Sequence, residues 1–185
     1  ATFETSYIPT NGTTITRGQG FAVIDGEELS DFYNPNASTV ICQFDASNWV
    51  TYNPNKYDRV WCFGNHNTET DTIEMFKQNS SNSQVRWRVR TSNTNVVGAA
   101  NYTYSTTRPK LGFAWQLNDA GVSIDGGTVA GTGDSSIPLP SITKLSLGNS
   151  GIENNNGGHA LTGWIRRFIY YPIKVSDSQL ITLTS

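Results

Sequence analysis

Charged residues of either sign are scarce in this sequence. Only 15% of its 185 residues are Asp, Glu, Lys or Arg, and the formal net charge is −2. No stripe of Lys and Arg is present, which argues against a nucleic-acid surface, because phosphates attract clustered basic side chains. Apolar runs are also short, and none approaches the roughly 20 residues of a membrane-spanning helix. The sequence therefore predicts neither a nucleic-acid partner nor a membrane span.

Cysteine is nearly absent as well, with only Cys42 and Cys62 in the chain. They fall in separate predicted strands, and we expect two buried thiols acting as small apolar side chains. The alternative is a disulfide, which would need the two Cα atoms within roughly 7 Å. Two cysteines without paired histidines do not make a zinc site. The chain begins at Ala1 rather than Met, so we expect an excised domain or a processed product.

The sequence is rich instead in short segments of β-branched and aromatic residues, separated by Gly, Pro, Asn and Ser. Gln84–Arg90 alternates strictly, with Val85, Trp87 and Val89 predicted to face inward. Three arginines are predicted to face outward between them: Arg86, Arg88 and Arg90. About a dozen such segments without helical periodicity predict an all-β sandwich or barrel. The length suits one domain, 1–185.

The segment 161–183 predicts how the chain closes. Trp164–Tyr171 has the composition of a strand, and Pro172 ends it because proline cannot donate to a ladder. Ser176 stands at an N-cap position with Gln179 three residues later, which is the capping-box spacing. We therefore predict a closing strand followed by one short C-terminal helix that packs under the sheet.

Three blocks of the sequence carry a resemblance to a known family. In chain order they are Ser6–Thr10 with Thr14–Arg17, Phe113–Gln116 with Val122–Gly126, and Gly163–Pro172 with Val175–Leu180. In this order the blocks resemble the laminin-G-like, concanavalin A-like jelly-roll domains of bacteriophage tail and other virion proteins. The resemblance implies two antiparallel sheets in jelly-roll order. It also implies that residues 1–24, as an N-terminal arm and first strand, lie beside the closing strand.

The resemblance implies a place and a class of function. It favours a non-enzymatic surface module of the phage particle, made in the host cytoplasm, that recognises host-surface glycans. The alternative is a structural capsid-decoration or assembly module, with other virion proteins or further copies of the chain as partners. The fold alone does not distinguish the glycan-binding module from the structural module, because it hosts lectins, glycosidases and structural domains. Calcium often accompanies such folds, but no Asp-rich spacing supports it, and we predict no metal or cofactor.

Two polar loops hold the candidate glycan-binding residues. Aromatic faces stack on the C–H faces of sugars, while amide and carboxylate groups bind the hydroxyls. The loop from Asp45 to Asp58 supplies Trp49, Tyr52, Asn53 and Tyr57. The loop from Asn149 to His159 supplies Asn154, Asn155 and His159. The alternatives are a loop whose aromatic residues cover the sheet edge, and a hydrophilic connection. The row of Arg86, Arg88 and Arg90 is expected to be a solvated face, or to meet acidic glycans or an acidic neighbour.

A minority hypothesis is catalytic. The spacing of Glu69, Asp71 and Glu74 resembles the E-x-D-x-x-E motif of the laminarinase and agarase family. One bulge would place all three on one face, with Glu69 as nucleophile and Glu74 as acid/base of a retaining glycoside hydrolase. Thr70 and Thr72 depart from the aliphatic residues that usually separate these acids. We therefore expect no enzyme activity.

Overall fold

The computed structural model describes residues 22–45, 58–65, 68–77, 84–104, 106–131, 137–149, 161 and 163–185, without the side chains of 68, 69 and 96–102. In chain order its elements are β1 (Ala22–Asp25), α1 (Gly26–Ser30), β2 (Ala37–Asp45), β3 (Arg59–Asn65), β4 (Thr68–Lys77), β5 (Gln84–Thr91), β6 (Thr94–Thr103), β7 (Lys110–Gln116), β8 (Asp119–Ile124), β9 (Ala130–Gly131), β10 (Lys144–Leu147), β11 (Trp164–Tyr171) and α2 (Asp177–Thr184).

The strands form two antiparallel sheets. The six-stranded sheet has the order β1-β10-β3-β4-β5-β6, and the five-stranded sheet has the order β11-β2-β7-β8-β9. Consecutive strands repeatedly fall in different sheets, so several connections cross from one layer to the other. The prediction of an all-β, two-sheet sandwich is confirmed. Within the described residues no helix is long and apolar enough to cross a membrane.

Aromatic rings from both sheets fill the space between the layers. Trp61 and Phe63 come from β3, and Phe113 and Trp115 come from β7; all four are fully buried. The Trp61 ring lies 6.1 Å from Phe113 and 6.3 Å from Trp115, measured between centroids. Such pairs contribute about 0.5–1.5 kcal/mol each beyond the area they bury. The predicted alternation in β5 is also confirmed, with Val85, Trp87 and Val89 buried in this core.

The C-terminal helix α2 has the predicted capping box. The Ser176 hydroxyl accepts a hydrogen bond from the Gln179 backbone N–H, and the Gln179 side chain accepts one from the Ser176 backbone N–H. Leu180 is buried with Ile41 and Ala114 on the outer face of the five-stranded sheet. Gly112 permits this close approach, because a Cβ there would lie 2.7 Å from a Leu180 methyl carbon. The helix therefore covers one sheet from outside.

Residues 1–21 of the predicted N-terminal arm and first strand lie outside the described residues, and the pairing of the part that is described corrects the expectation for that part. The first described strand, β1, pairs with β10, and not with the closing strand β11, which pairs with β2. This register sets Ile24 opposite Leu145, so both apolar side chains point into the core. Burial of matching apolar faces decides register more strongly than position in the chain. The short helix α1 was not predicted; it buries Leu29 after Gly26, whose φ is +57°.

The two cysteines are buried thiols that form no disulfide, as predicted. Cys42 lies in β2 and Cys62 in β3, which belong to different sheets. Burial raises the pKa of the Cys42 thiol well above its ordinary value. A thiol held in its neutral form is a poor nucleophile and a poor metal ligand, so Cys42 serves packing.

Candidate functional site

The Glu74 carboxylate, proposed by the minority hypothesis as an acid/base, lies fully buried on β4. Its Oε2 accepts a hydrogen bond from Arg59 Nε at 2.8 Å, and its Oε1 accepts one from Arg88 Nε at 2.6 Å. Both guanidinium groups also lie over the Phe76 ring, 5.8 and 5.2 Å from its centroid. We call Arg59, Glu74 and Arg88 the buried triad.

The electrostatics of the buried triad keep Glu74 ionised. Burial by itself would raise the pKa of Glu74, but the charges and hydrogen bonds of Arg59 and Arg88 outweigh it and hold the pKa below its ordinary value. A general acid needs a proton at neutral pH and access to the leaving group. Glu74 is ionised and buried, so it is suited to an ion pair that stabilises the sheet and not to acid catalysis.

Asp71 does not join Glu74. Its carboxylate accepts hydrogen bonds from the Ser92 backbone N–H at 3.0 Å and from the Thr70 hydroxyl at 3.1 Å. It therefore holds the turn between β5 and β6, while Glu74 binds arginines. The side chain of Glu69 lies outside the described residues. The two described acids share no partner, and this arrangement does not form the paired carboxylates that glycoside hydrolysis requires.

The arginine row on β5 is half-buried and takes part in the protein's own contacts. Arg88 belongs to the buried triad, and Arg90 donates to the Asn93 side chain. Contacts of this kind reduce what the row offers to an external ligand. The row lies on the face of β5 opposite the core, as predicted. The expectation of a solvated face is wrong, because all three arginines are partly buried and each makes contacts within the protein.

The predicted glycan-binding residues Trp49, Tyr52, Asn53, Tyr57, Asn154, Asn155 and His159 lie outside the described residues. The strand ends from which their loops depart are described, and they meet. The loop after β2 departs at Asp45, and Asp45 is the register partner of Trp164, near which the second loop returns.

In the six-stranded sheet, the end of β10 and the start of β3 lie at this same end of the sandwich. The Gly148 N–H, just after β10, donates to the Val60 carbonyl in β3 at 2.9 Å. The Leu161 N–H donates to the Gly148 carbonyl at 2.7 Å. Both loops with predicted ligand residues therefore start and finish at one end of the sandwich, which we call the loop end: the ends of β2 and β10 and the starts of β3 and β11.

An exposed tryptophan marks the loop end. Trp164 is 56% exposed, while the other tryptophans of the core strands, Trp61, Trp87 and Trp115, are buried. Opposite it, Asp45 lies 3.4 Å from Arg166 and 3.7 Å from Arg108. An exposed indole face beside guanidinium and carboxylate groups is suited to stacking on a sugar ring and hydrogen-bonding its substituents.

Sequence reasoning missed this cluster because it placed Trp164 in a regular strand with one buried face. The pairing of β11 with β2 shifts register between Ile165 and Arg167, so Arg166 occupies a bulge. Bulges re-aim side chains and are frequent at functional edges. Arg166 and Arg167 were the available sign of this bulge in the sequence, because strict alternation of the strand would bury one of the two arginines.

A second concavity lies away from the loop end. It is an open groove of about 450 Å³ between the end of β11 and α2, lined by Tyr171, Ile173, Val175, Ser178, Gln179, Thr182 and Leu183. Ile173 is 58% exposed there. These described lining residues are mostly apolar, and none of them is charged. In the part of the chain that the structure describes, no group of His, Cys, Asp and Glu residues could hold a metal ion.

Comparison with known proteins identifies the class of fold. No protein-family model matches the chain, and no curated protein matches it in sequence. The CBM40 module of a Ruminococcus gnavus IT-sialidase, solved with α2,3-sialyllactose, is similar in structure, with TM-score 0.62, 13% identity, and 82% of this chain and 84% of that chain covered.

Two further structures share the fold. Botulinum neurotoxin type C, whose cell entry depends on interaction with two ganglioside molecules, has TM-score 0.62 and 8% identity, with 88% of this chain and 38% of that chain covered. A heptameric SAP-like pentraxin from Limulus polyphemus has TM-score 0.56 and 10% identity, with 83% and 73% covered. At these identities the likeness defines the fold: this chain is a jelly-roll sandwich.

Proposed function

We propose that this chain is a non-catalytic carbohydrate-binding module whose binding site is the loop end. The observation that carries the proposal is Trp164, a large aromatic side chain left 56% exposed at the meeting point of both predicted ligand loops. Exposed tryptophans are costly to hydrate, and a rigid indole face beside polar groups is a common sugar platform.

The structural comparisons support the proposal at the level of fold. Two of the similar proteins are a sialidase module bound to sialyllactose and a toxin that interacts with gangliosides. Because one fold hosts many functions, the greater weight falls on the side chains at the loop end. The arginine-bound state of Glu74 supports the non-catalytic part of the proposal.

The biological setting we propose is the surface of a bacteriophage particle, as part of a tail fibre or similar appendage. The three sequence blocks that resemble phage jelly-roll domains support this setting. Two buried thiols that form no disulfide accord with synthesis in a reducing cytoplasm. Peptide mass spectrometry of purified particles tests it, because a virion component must be recovered in stoichiometric amount.

The test of binding is the variant Trp164→Ala on a glycan array, followed by calorimetry with the sugars that bind. Loss of a central aromatic contact is expected to cost about 2 kcal/mol, or about thirtyfold in affinity. Leu117→Ala is the matched control, because Leu117 is 61% exposed in the turn between β7 and β8. Equal binding by both variants and the parent would contradict the proposed site.

A second candidate function is a structural assembly role, favoured by the apolar groove beside α2. Ile173 and Leu183 would there meet a neighbouring chain, as apolar exposed patches often do. Ile173→Asp would then abolish incorporation of the protein into particles while leaving sugar binding unchanged. Normal incorporation of that variant would remove this candidate.

A further inference from the structure

Two arginines converge on a single carboxylate oxygen at the loop end. Arg166 Nη2, in the bulge of β11, lies 3.4 Å from Asp45 Oδ2. Arg108 Nε, before β7, lies 3.7 Å from the same atom. One carboxylate neutralises one of the two guanidinium groups, so this cluster carries an excess positive charge in a chain whose net charge is −2.

Both guanidinium groups also face solvent. The Arg108 side chain is 58% exposed and the Arg166 side chain 43% exposed, whereas the Asp45 side chain is 14% exposed. Each guanidinium has five N–H donors, and a single contact with Asp45 leaves most of them directed outward. Asp45 thus positions both guanidinium groups. The Gln43 side chain also donates to the Arg108 carbonyl at 3.4 Å.

The arginine pair and Trp164 are all neighbours of Asp45. Trp164 and Asp45 are register partners on neighbouring antiparallel strands, and the Cβ atoms of such partners lie roughly 5 Å apart. A ring stacked on the indole would therefore place its substituents over Asp45 and the two guanidinium groups. A hydroxyl at that point could accept from the guanidinium groups or donate to Asp45, whereas a carboxylate would also gain from the excess positive charge of the arginine pair.

We propose that the loop end selects acidic saccharides, with the ligand carboxylate bound by Arg108 and Arg166 and a sugar ring stacked on Trp164. This inference rests on the proposed function and adds the chemical class of the ligand. Guanidinium groups match the planar geometry of carboxylates, and they also bind sulfate and phosphate esters. Sulfated and phosphorylated sugars are therefore separate arms of the test, and the proposal commits to the carboxylate.

The experiment is an array of matched acidic and neutral sugars probed with the whole chain. The pairs include 3′-sialyllactose with lactose, and trigalacturonate with its methyl ester, beside sulfated and phosphorylated lactose. Carboxylated members are expected to bind at least about tenfold more tightly than their neutral partners. Equal binding of neutral partners, or a preference for the sulfated or phosphorylated sugars alone, overturns this inference and leaves the proposed function standing. Binding of no sugar overturns both.

Three substitutions test whether Arg108 and Arg166 are the residues that bind the ligand carboxylate. Arg108→Gln and Arg166→Gln are each expected to weaken binding of the carboxylated sugar about tenfold and to weaken binding of its neutral partner less. Arg167→Gln is the control, because it removes the same charge from the neighbouring exposed position of β11. Thermal unfolding of each variant confirms that the fold is intact. An equal loss in all three variants would indicate general charge attraction and would contradict the assigned pair.

Discussion

The molecule contains two clusters of the same composition, a carboxylate between two arginines, in opposite surroundings. In the buried triad, Glu74 is closed off from water and both of its oxygens are hydrogen-bonded by arginine. At the loop end, the two arginines near Asp45 are half exposed and sit at longer distances. The comparison teaches that burial, and not residue type, decides whether such a cluster supports the fold or remains available to a ligand.

The energetic consequences of the two clusters differ in size. Removing one member of a buried ion pair leaves an uncompensated charge and typically costs about 3–5 kcal/mol. An exposed pair contributes about 0–1 kcal/mol, because water and salt replace the lost partner. The four predictions that follow test this contrast, from the largest expected effect to the smallest.

Glu74→Gln is expected to lower the free energy of unfolding by about 3–5 kcal/mol, because the fully buried Arg59 would lose the charge of Glu74. Urea unfolding measures the change. Asp71→Asn on the same strand is the control, and it is expected to cost about 1 kcal/mol through its weakened bond to the Ser92 N–H. Similar losses in the two variants would contradict the structural role of the triad.

Acid is expected to erase the difference between Glu74→Gln and the parent. The folded pKa of Glu74 is lowered, so its contribution to stability is present above the unfolded pKa and is lost as pH falls through the folded pKa. The gap in unfolding free energy should therefore be widest near pH 7 and shrink below about pH 4. A gap that stays constant down to pH 2 would show that the charge of Glu74 is not what matters.

Asp45→Asn is expected to change the free energy of unfolding by less than about 1 kcal/mol, because both of its arginine partners keep contact with water. The same urea measurement applies. A loss comparable to that of Glu74→Gln would mean that the loop-end cluster is structural, and the contrast between the two clusters would disappear.

The smallest expected effect is the difference in how salt changes the stability of Asp45→Asn and of Glu74→Gln. Raising NaCl from about 0.1 to 1 M shortens the Debye length from about 10 to 3 Å and screens exposed charges far more than buried ones. The effect of Asp45→Asn on stability should fall by a few tenths of a kcal/mol, toward zero. The loss caused by Glu74→Gln should persist. Equal salt sensitivity of the two variants would show that both clusters are equally solvated.

Local patterns in the sequence predicted the features that depend on near neighbours. The alternation of Gln84–Arg90 gave the buried face of β5, and the spacing of Ser176 and Gln179 gave the capping box of α2. Both depend on side chains within a few residues of each other. The resemblance to jelly-roll domains supplied the two-layer arrangement, which strand composition alone left open between sandwich and barrel.

Features that depend on distant residues could not be predicted. Glu74 looked like a catalytic acid from Glu69 and Asp71, yet its partners Arg59 and Arg88 lie 15 and 14 residues away in the chain. The pairing of β1 with β10 joins segments separated by about 120 residues, and no local signal marks it. Exposure of Trp164 follows from a bulge whose position becomes visible only against β2.

The central claim is that the loop end binds sugar while the buried triad does not. The most direct measurement is a titration of the isotope-labelled chain with 3′-sialyllactose and with trigalacturonate, followed by two-dimensional NMR of backbone amides and indole N–H groups. We predict that the Trp164 indole and the amides of Asp45, Arg108 and Arg166 shift together, while those of Glu74 and Arg88 stay in place. Shifts centred on Glu74 and Arg88, or no shift with either sugar, would contradict the claim.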